Sequence, residues 1–223
     1  MGDGLNEVLP RDFGIAIGGY EQFTAEVKDM TSYLQKLRDA GCDIIAFDSV
    51  ARDGLRIVMT GMQNLAWKAP VVCGPTAIIG NLEEQVPSAV RDQFYGVVFR
   101  VSVRTQEPPS QAMTDFVARL KAHGPIDNLA VSAMNHDVVF LAKWAFETAQ
   151  REFGNTSGDS LKAVVESIRE RDYPADYSLF AGKPSYTSDD HTMATADHSK
   201  MYGLIRVGYL VDGAYQGEAL DLG

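Results

Sequence analysis

The sequence predicts an α/β fold in which a parallel sheet is flanked by helices and is followed by a helix-rich region. Three observations support this prediction. Apolar stretches typical of strands buried on both faces alternate with amphipathic helical stretches over residues 13–103. Residues 110–172 contain helical stretches with no strand between them. Residues 177–220 return to strand-like alternation around a Val-Asp-Gly turn at 211–213.

The first half of the chain alternates strand and helix. Its predicted strands are short apolar stretches, at residues 13–21, 42–49, 69–74 and 95–103. Its predicted helices place apolar side chains at helical spacing, at residues 27–41, 51–67 and 83–94. The first of these helices ends at Gly41, a typical helix stop, and the last is interrupted by Pro87.

The second half begins with helices, predicted at residues 110–124, 131–154 and 157–172. Ser157 and Asp159 are expected caps near the start of the last helix. The middle helix is apolar nearly all round, so it needs cover on more than one side. A strand is predicted over residues 177–187, and a hairpin over residues 203–220.

Composition excludes some classes of partner. The chain of 223 residues carries a formal net charge of -10, which disfavours a nucleic-acid partner because phosphate backbones repel acidic proteins. No apolar run reaches the length of a membrane span, and no signal-peptide pattern opens the sequence. Cys42 and Cys73 are expected at opposite ends of neighbouring strands, too far apart for a disulfide, and both are predicted to be buried free thiols.

Polar residues and glycines follow the predicted strands. The tripeptides are Gly18-Gly19-Tyr20, Asp48-Ser49-Val50 and Gly74-Pro75-Thr76. Ligands of open α/β sheets bind at the carboxyl ends of strands, so these positions are candidates for a ligand cleft. Each of these residues also has another possible role. Ser49 and Thr76 are ordinary turn or cap residues, and Asp48 is equally suited to cap the next helix. Tyr20 is as well suited to the rim of a cleft as to stacking on a ligand.

Several passages resemble one protein family when taken in order. They are VKDMTSYLQKLRDAGCDIIAF, MQNLAWKAPVVCGP, DFVARLKAHG, AMNHDVVFLAKWAFETA and SYTSDDHTMATADHSKMYGLIRV. Their order and spacing resemble the C-terminal part of type I periplasmic solute-binding proteins, of the branched-chain amino-acid (Leu/Ile/Val) receptor family of ABC importers. The resemblance extends over essentially the whole chain.

The resemblance implies two Rossmann-like lobes that close on a ligand. Residues 1–100 and 187–223 would form the ligand-binding lobe 2, and residues 101–186 the helical part of lobe 1. In the family the sheet of lobe 1 precedes this region, so the resemblance implies that the first lobe is incomplete. The chain would then be a fragment, a truncated form or a divergent half-protein. Apolar surface left exposed by such a truncation predicts self-association.

The resemblance also implies which residues bind the ligand. Ser49 and Val50 match one cleft loop of the family and Thr76 matches another, with Asp48 and Tyr20 as further candidates. In the family's aliphatic amino-acid binders, a glutamate follows Gly-Pro and pairs with the ligand ammonium. Threonine supplies a hydrogen bond but no charge, so an amino acid, an amide and a small carboxylate are all admissible ligands. Predicted helix N-termini near Ala51 and Ile78 would favour an anionic group.

Other polar groups suggest weaker hypotheses. Asp189, Asp190 and His191, with Asp197 and His198, contain metal-ligand residue types but suit a solvated loop better. The pair His136 and Asp137 is expected on a helix surface or between lobes in preference to a catalytic dyad. The sequence has no phosphate-loop, nucleophile-elbow or C-x-x-C motif, and residues 14–19 do not form a dinucleotide fingerprint.

The sequence therefore predicts a binding protein with no catalytic residues, no metal and no cofactor. Its expected partners are a small ligand and an ABC permease, and its expected location is periplasmic or extracellular, which allows a lipid anchor. One alternative is a ligand-sensing receptor or an amide-responsive regulatory domain of the same fold. Another is a Rossmann-like enzyme that uses Asp189, His191 or His136.

Overall fold

The computed structural model describes residues 2–50, 53–78, 80–103, 109–180, 183–191 and 201–220. Its α-helices are α1 (Gly2–Phe13), α2 (Thr31–Asp39), α3 (Gly54–Asn64), α4 (Leu82–Gln85), α5 (Gln111–Lys121), α6 (Leu129–Phe153) and α7 (Gly158–Glu166). Its strands are β1 (Ile45–Phe47), β2 (Val71–Cys73), β3 (Phe94–Phe99), β4 (Tyr202–Val211) and β5 (Ala214–Leu220). Short 3₁₀ helices occupy Ser88–Gln93, Arg100–Ser102, Ile168–Glu170 and Ala175–Tyr177.

The strands form a sheet in the order β1-β2-β3-β4-β5. The pairs β1–β2 and β2–β3 are parallel, with Phe47 opposite Cys73 and Cys73 opposite Gly96. Helices connect these parallel strands, which confirms the predicted α/β fold class. The predicted hairpin is also confirmed, because β4 and β5 are joined by Asp212 and Gly213, whose φ angles of 53° and 72° suit a tight turn.

By its internal contacts, the chain divides into two compact units. The first comprises Met1–Val97 with Ile205–Gly208, and the second comprises Val98–Leu204 with Tyr209–Gly223. The first unit holds α2, α3, β1 and β2, and its buried core includes Leu34, Leu55, Met59, Met62 and Val71. The predicted assignment of residues to two lobes stays a prediction.

The second unit has two apolar clusters along α6. Near the start of α6, Leu129 and Ala133 pack with Met113 and Phe116 of α5. Farther along, the cluster joins α6 to α7 and contains Trp144, Ala145, Ala149, Val164 and Ile168. Two sides of α6 are therefore covered within this unit.

Side-chain caps explain where the helices of the second unit begin. The side chains of Ser110, Asn128 and Ser157 accept hydrogen bonds from the backbone N–H groups of Met113, Val131 and Ser160. The cap predicted at Ser157 is confirmed. Helix α6 ends at Gly154, whose φ of 68° is a left-handed conformation that glycine adopts at low cost.

The predicted strand at residues 13–21 is wrong. Helix α1 reaches Phe13, and the amides of Gly14 and Ile15 close it by donating to the carbonyls of Pro10 and Leu9. The residues that follow have no regular structure, and Ile15 and Ile17 are exposed. The alternating pattern is therefore not supported by burial, which is what stabilises a strand of this type.

The predicted strand at residues 177–187 is also wrong within residues 177–180 and 183–187, the part that the structure describes. Backbone N–H groups that would join a sheet are used elsewhere. The amides of Leu179 and Phe180 donate to the carboxylate of Asp137, at 2.8 and 2.9 Å. A buried side chain thus replaces the neighbouring strand as acceptor.

Two further expectations concern the thiols and the membrane. Cys42 and Cys73 are both free, as predicted, but Cys42 is only half-buried because it lies in the loop before β1. Among the residues that the structure describes, no helix combines the length and apolar character needed to cross a membrane.

Candidate functional site

The predicted cleft residues lie at one edge of the sheet. Asp48 and Ser49 directly follow β1, and Thr76 follows β2 in the next loop. Because β1 and β2 are parallel and in register at Phe47 and Cys73, their carboxyl ends meet at the same place. The structure therefore brings together side chains that are 28 positions apart in the sequence.

A tight turn places Thr76. The amide of Ala77 donates to the carbonyl of Gly74 at 3.1 Å, which closes a β-turn with Pro75 at its second position. The amide of Gly74 donates to the carbonyl of Phe47 at 3.2 Å and so extends the parallel ladder by one residue. A Cβ atom at Gly74 would lie 3.3 Å from Oδ1 of Asp48, so the glycine lets this turn approach the carboxylate closely.

Asp48 is the centre of this cluster. Its Oδ1 atom accepts a hydrogen bond from the hydroxyl of Thr76 and another from the amide of Ser49, the latter at 3.0 Å. Asp48 does not cap the following helix, because α3 begins at Gly54 and its N-cap residue is Asp53. The predicted helix N-terminus near Ile78 is likewise wrong, since α4 begins at Leu82. Ala51 lies outside the described residues.

The charge of Asp48 is not neutralised by any residue that the structure describes, since none forms a salt bridge with it. Asp48 also affects the pKa of its neighbour Cys73. Burial, and secondarily the negative charge of Asp48, raise the pKa of the Cys73 thiol to about 12. Cys73 therefore stays protonated at neutral pH, and the charged group at this edge is the carboxylate.

Ser49 and Val50 complete the loop after β1. A Cβ atom at Gly54 would lie 2.7 Å from the Ser49 hydroxyl oxygen, so the first turn of α3 packs closely on Ser49. Val50 is 87% exposed, which leaves an apolar side chain facing solvent beside the polar cluster. The loop after β1 therefore presents an exposed apolar side chain beside a carboxylate and a hydroxyl.

Tyr20 makes a local contact. It is exposed, and its hydroxyl accepts a hydrogen bond from the side-chain amide of Gln22 at 2.9 Å. The structure does not join Tyr20 to Asp48, Ser49 or Thr76 through any hydrogen bond among the described residues. Its part in ligand binding stays a prediction.

A small cavity lies beside the loop that follows β1. Its volume is about 180 Å³, and its lining includes Phe23, Val27, Lys28, Gly54 and Ile57. Phe23 also stacks on Phe47 of β1, with ring centroids 5.9 Å apart. Sequence analysis missed this cavity, because its walls come from a segment without regular structure and from the first turn of α3.

The second polar group of interest is His136 and Asp137 on α6. Of the two expected positions for this pair, the helix surface is wrong, since the side chain of Asp137 is 3% exposed and that of His136 is 9% exposed. The position between lobes stays a prediction. Asp137 accepts hydrogen bonds from two backbone amides, from the Ser178 hydroxyl at 3.1 Å and from Nδ1 of His136 at 3.1 Å.

The ring of His136 is enclosed by aromatic side chains. It stacks on Phe140 at 4.2 Å between centroids and meets the edge of Phe116 at 5.1 Å. The carboxylate of Asp137 is thus used to hold residues 178–180 against α6. This arrangement is structural, and the sequence signal for it is a carboxylate within an apolar helix, which needs buried partners.

The acidic segment near the end of the chain forms local contacts. Nε2 of His191 lies 2.8 Å from Oε1 of Glu166, and the amides of Asp189 and Asp190 donate to the Thr187 hydroxyl. Within the described ranges, no group of three or more His, Cys, Asp or Glu side chains is placed to hold a metal ion. Asp197 and His198 lie outside those ranges.

Known proteins share this fold. No protein-family model matches the chain, and no curated protein sequence matches it. An extracellular ligand-binding receptor from Rhodopseudomonas palustris superposes with a TM-score of 0.67 at 12% identity, over 98% of this chain and 58% of that chain. The fold is that of type I periplasmic binding proteins. It confirms the predicted resemblance at the level of fold.

Two further solved structures agree. A type 1 periplasmic binding protein from Bordetella pertussis Tohama I has a TM-score of 0.65 at 15% identity, over 98% of this chain and 57% of that chain. The branched-chain amino-acid transporter substrate-binding protein LivJ from Streptococcus pneumoniae, in complex with isoleucine, has a TM-score of 0.59 at 17% identity, over 98% and 56%. The chain thus spans slightly more than half the length of these binding proteins.

Proposed function

We propose that this chain is part of the periplasmic or extracellular solute-binding component of an ABC transporter and carries no catalytic activity. In this proposal the protein captures a small amino-acid-like or carboxylate ligand when two lobes close. The observation that carries the proposal is the cluster of Asp48, Ser49 and Thr76 at the carboxyl ends of adjacent parallel strands. The shared fold with ligand-binding proteins supports it.

The chemistry of the cluster favours a ligand with an ammonium group. Thr76 donates its hydroxyl proton to Asp48, so its oxygen lone pairs are available to accept a hydrogen bond from a ligand. Asp48 supplies the negative charge that threonine lacks. Two acceptors, one of them charged, suit a primary ammonium, because a charged hydrogen bond contributes about 1.5–3 kcal/mol.

The apolar surroundings favour a small side chain on the ligand. Val50 offers an exposed apolar contact beside Asp48, and the cavity of about 180 Å³ next to Gly54 is walled by Phe23, Val27 and Ile57. A space of this size holds a group of a few carbon atoms, since a cavity of roughly 150 Å³ accepts benzene. A short aliphatic amino acid satisfies both the polar and the apolar requirement.

A ligand-sensing receptor is the second candidate. One of the structures with this fold is described as an extracellular ligand-binding receptor, and a receptor would use the same cluster. The two functions differ in the partner that reads the bound state. Co-purification with a permease favours the transporter, whereas a signalling partner favours the receptor.

Isothermal titration calorimetry of the 223-residue chain with L-isoleucine tests the proposal. 3-Methylpentanoate, which is isoleucine without the ammonium group, is the comparison ligand and is expected to bind more weakly. Asp48→Asn is expected to weaken isoleucine binding about 10–100-fold, because it removes the charge from an ammonium contact. Thr76→Val is expected to weaken it by about tenfold through the loss of one acceptor and of the support it gives to Asp48.

Asp43→Asn is the matched control, since this exposed carboxylate lies before β1, at the other end of the same strand. It should leave binding unchanged. An isoleucine affinity that is unchanged in both Asp48→Asn and Thr76→Val would refute the proposed site. Turnover of an added solute without a permease would refute the non-catalytic assignment.

A further inference from the structure

The small cavity beside the loop that follows β1 has buried apolar walls and exposed charged residues. In its lining, Ile57 is 9% exposed, and Phe23 and Val27 are half-buried. Lys28 and Asp53 line the same cavity and are exposed. An apolar group held in this cavity would therefore have charged side chains beside it.

The two charged residues differ in their contacts. Oδ1 of Asp53 lies 3.6 Å from Nη2 of Arg56, so the negative charge of Asp53 is offset within the first turn of α3. The ammonium of Lys28 forms no hydrogen bond or ion pair with any residue that the structure describes. The cavity therefore has a positive charge available to a ligand.

Few basic residues of the first unit are placed in this way. Within its described part, Lys68 is the other one without a hydrogen bond or ion pair. The rest are held by a neighbouring carboxylate, carbonyl or hydroxyl, and they are Arg11, Lys36, Arg38, Arg56, Arg91 and Arg206. Lys68 lies just before β2, at the opposite end of the strands from Asp48. Lys28 is thus the available cation on the side of Asp48.

Short contacts connect the cavity to Asp48. The carboxylate of Asp48 accepts a hydrogen bond from the amide of Ser49 at 3.0 Å. The hydroxyl oxygen of Ser49 lies 2.7 Å from the position of a Cβ atom on Gly54, and Gly54 lines the cavity. The residue before Asp48 is Phe47, whose ring stacks on Phe23 in the cavity wall. One small molecule can therefore contact both Asp48 and the cavity.

We infer that Lys28 binds the carboxylate of the ligand, while Asp48 binds its ammonium and the cavity holds its side chain. This inference rests on the proposed function, because it requires a ligand that lies between Asp48 and the cavity. Each charge of an α-amino acid then meets a side chain of opposite charge. The protein would select zwitterionic α-amino acids over amines and carboxylic acids of the same shape.

The exposure of Lys28 sets the size of the expected effect. An ion pair between exposed groups changes an affinity by only a few-fold, whereas a charged hydrogen bond shielded from water changes it by more than about tenfold. Lys28 is exposed but lies beside buried apolar walls, so an effect of about tenfold is expected. Added salt should reduce it, because the contact is partly open to water.

Isothermal titration calorimetry with two ligands and two proteins tests the inference. The ligands are L-isoleucine and 2-methylbutylamine, which is isoleucine without its carboxylate group. The 223-residue chain is expected to bind isoleucine about tenfold more tightly than the amine. Lys28→Met removes the charge and keeps a long side chain. It should weaken isoleucine binding about tenfold and leave amine binding unchanged, so the preference disappears.

Lys68→Met is the matched control, since it removes the same charge from an exposed lysine at the other end of the strands. It should leave both affinities unchanged, and circular dichroism confirms that both variants are folded. A salt series gives a second measurement. The preference of the unmodified chain for isoleucine should shrink between about 0.01 M and about 1 M salt, over which the Debye length falls from about 30 Å to about 3 Å.

Two results would overturn the role of Lys28 and leave the proposed function standing, provided that Asp48→Asn still weakens isoleucine binding. Lys28→Met could leave the isoleucine affinity unchanged. It could also weaken both ligands equally, in which case Lys28 would support the cavity and would not bind the carboxylate. Absence of any isoleucine binding to the unmodified chain would overturn both proposals.

Discussion

Asp137 offers the sharpest test of how the second unit is held together. Its buried carboxylate accepts hydrogen bonds from the amides of Leu179 at 2.8 Å and Phe180 at 2.9 Å. Asp137→Ala removes the acceptor and leaves these two amides unsatisfied. Each such group costs about 1–3 kcal/mol, so the free energy of unfolding should fall by about 4 kcal/mol. That is a large part of the 5–15 kcal/mol typical of a domain.

Asp137→Asn separates the charge from the shape of the side chain. The amide keeps one acceptor oxygen but loses the charge and the second acceptor, so a smaller loss of about 2 kcal/mol is expected. Asp176→Ala is the control, because this carboxylate is exposed two residues before the bonded segment. It should change stability by no more than about 0.5 kcal/mol.

Urea unfolding followed by far-UV circular dichroism measures these differences at neutral pH. Amide hydrogen exchange provides a local measurement, since the amides of Leu179 and Phe180 should lose protection in Asp137→Ala before the amides of α6 do. A loss of less than about 1 kcal/mol, on a scale where an unsatisfied buried group costs 1–3 kcal/mol, would refute this account of Asp137. Unchanged protection of the two amides would refute it as well.

Two other predictions concern the hairpin turn and the thiols. Gly213→Ala should destabilise the protein by more than Gly154→Ala, although both glycines have φ near 70°. A Cβ atom at Gly213 would lie 2.7 Å from the amide nitrogen of Leu129, whereas a Cβ atom at Gly154 would have nothing within 4 Å. The left-handed conformation itself costs about 1–2 kcal/mol in both variants, so equal losses in urea unfolding would contradict the predicted clash. Ellman's reagent at pH 8 should modify Cys42 in the folded protein and not Cys73. Burial raises the pKa of the Cys73 thiol to about 12, and the reactive thiolate forms only as the pH approaches that value. Equal rates of modification at the two thiols would contradict this.

The parts of the fold that depend on local periodicity were predictable. Helix α6 and the β4–β5 hairpin are evident from apolar spacing and from a two-residue turn, and both are confirmed. The predicted strands at residues 13–21 and 177–187 are wrong where the structure describes them, and local periodicity could not have shown this. A strand needs a neighbour, and the sequence pattern does not reveal that residues 179–180 are already bonded to Asp137.

The candidate site was predictable to a similar extent. That Asp48 and Thr76 would be close follows from parallel strands whose carboxyl ends meet at one edge of the sheet. Their direct hydrogen bond does not follow from the sequence, because it depends on the Gly74 turn and on the approach of that turn to the carboxylate. The nearby cavity was not predictable, since its lining comes from segments whose relative position is set by packing.

The central claim is that the loops after β1 and β2 bind a small solute. A ¹H–¹⁵N chemical-shift titration of the chain with L-isoleucine tests it most directly. We expect saturable shifts at the amides of Asp48, Ser49, Val50 and Thr76, and loss of those shifts in Asp48→Asn. Saturable shifts confined to other residues, or none up to millimolar isoleucine and valine, would contradict the claim.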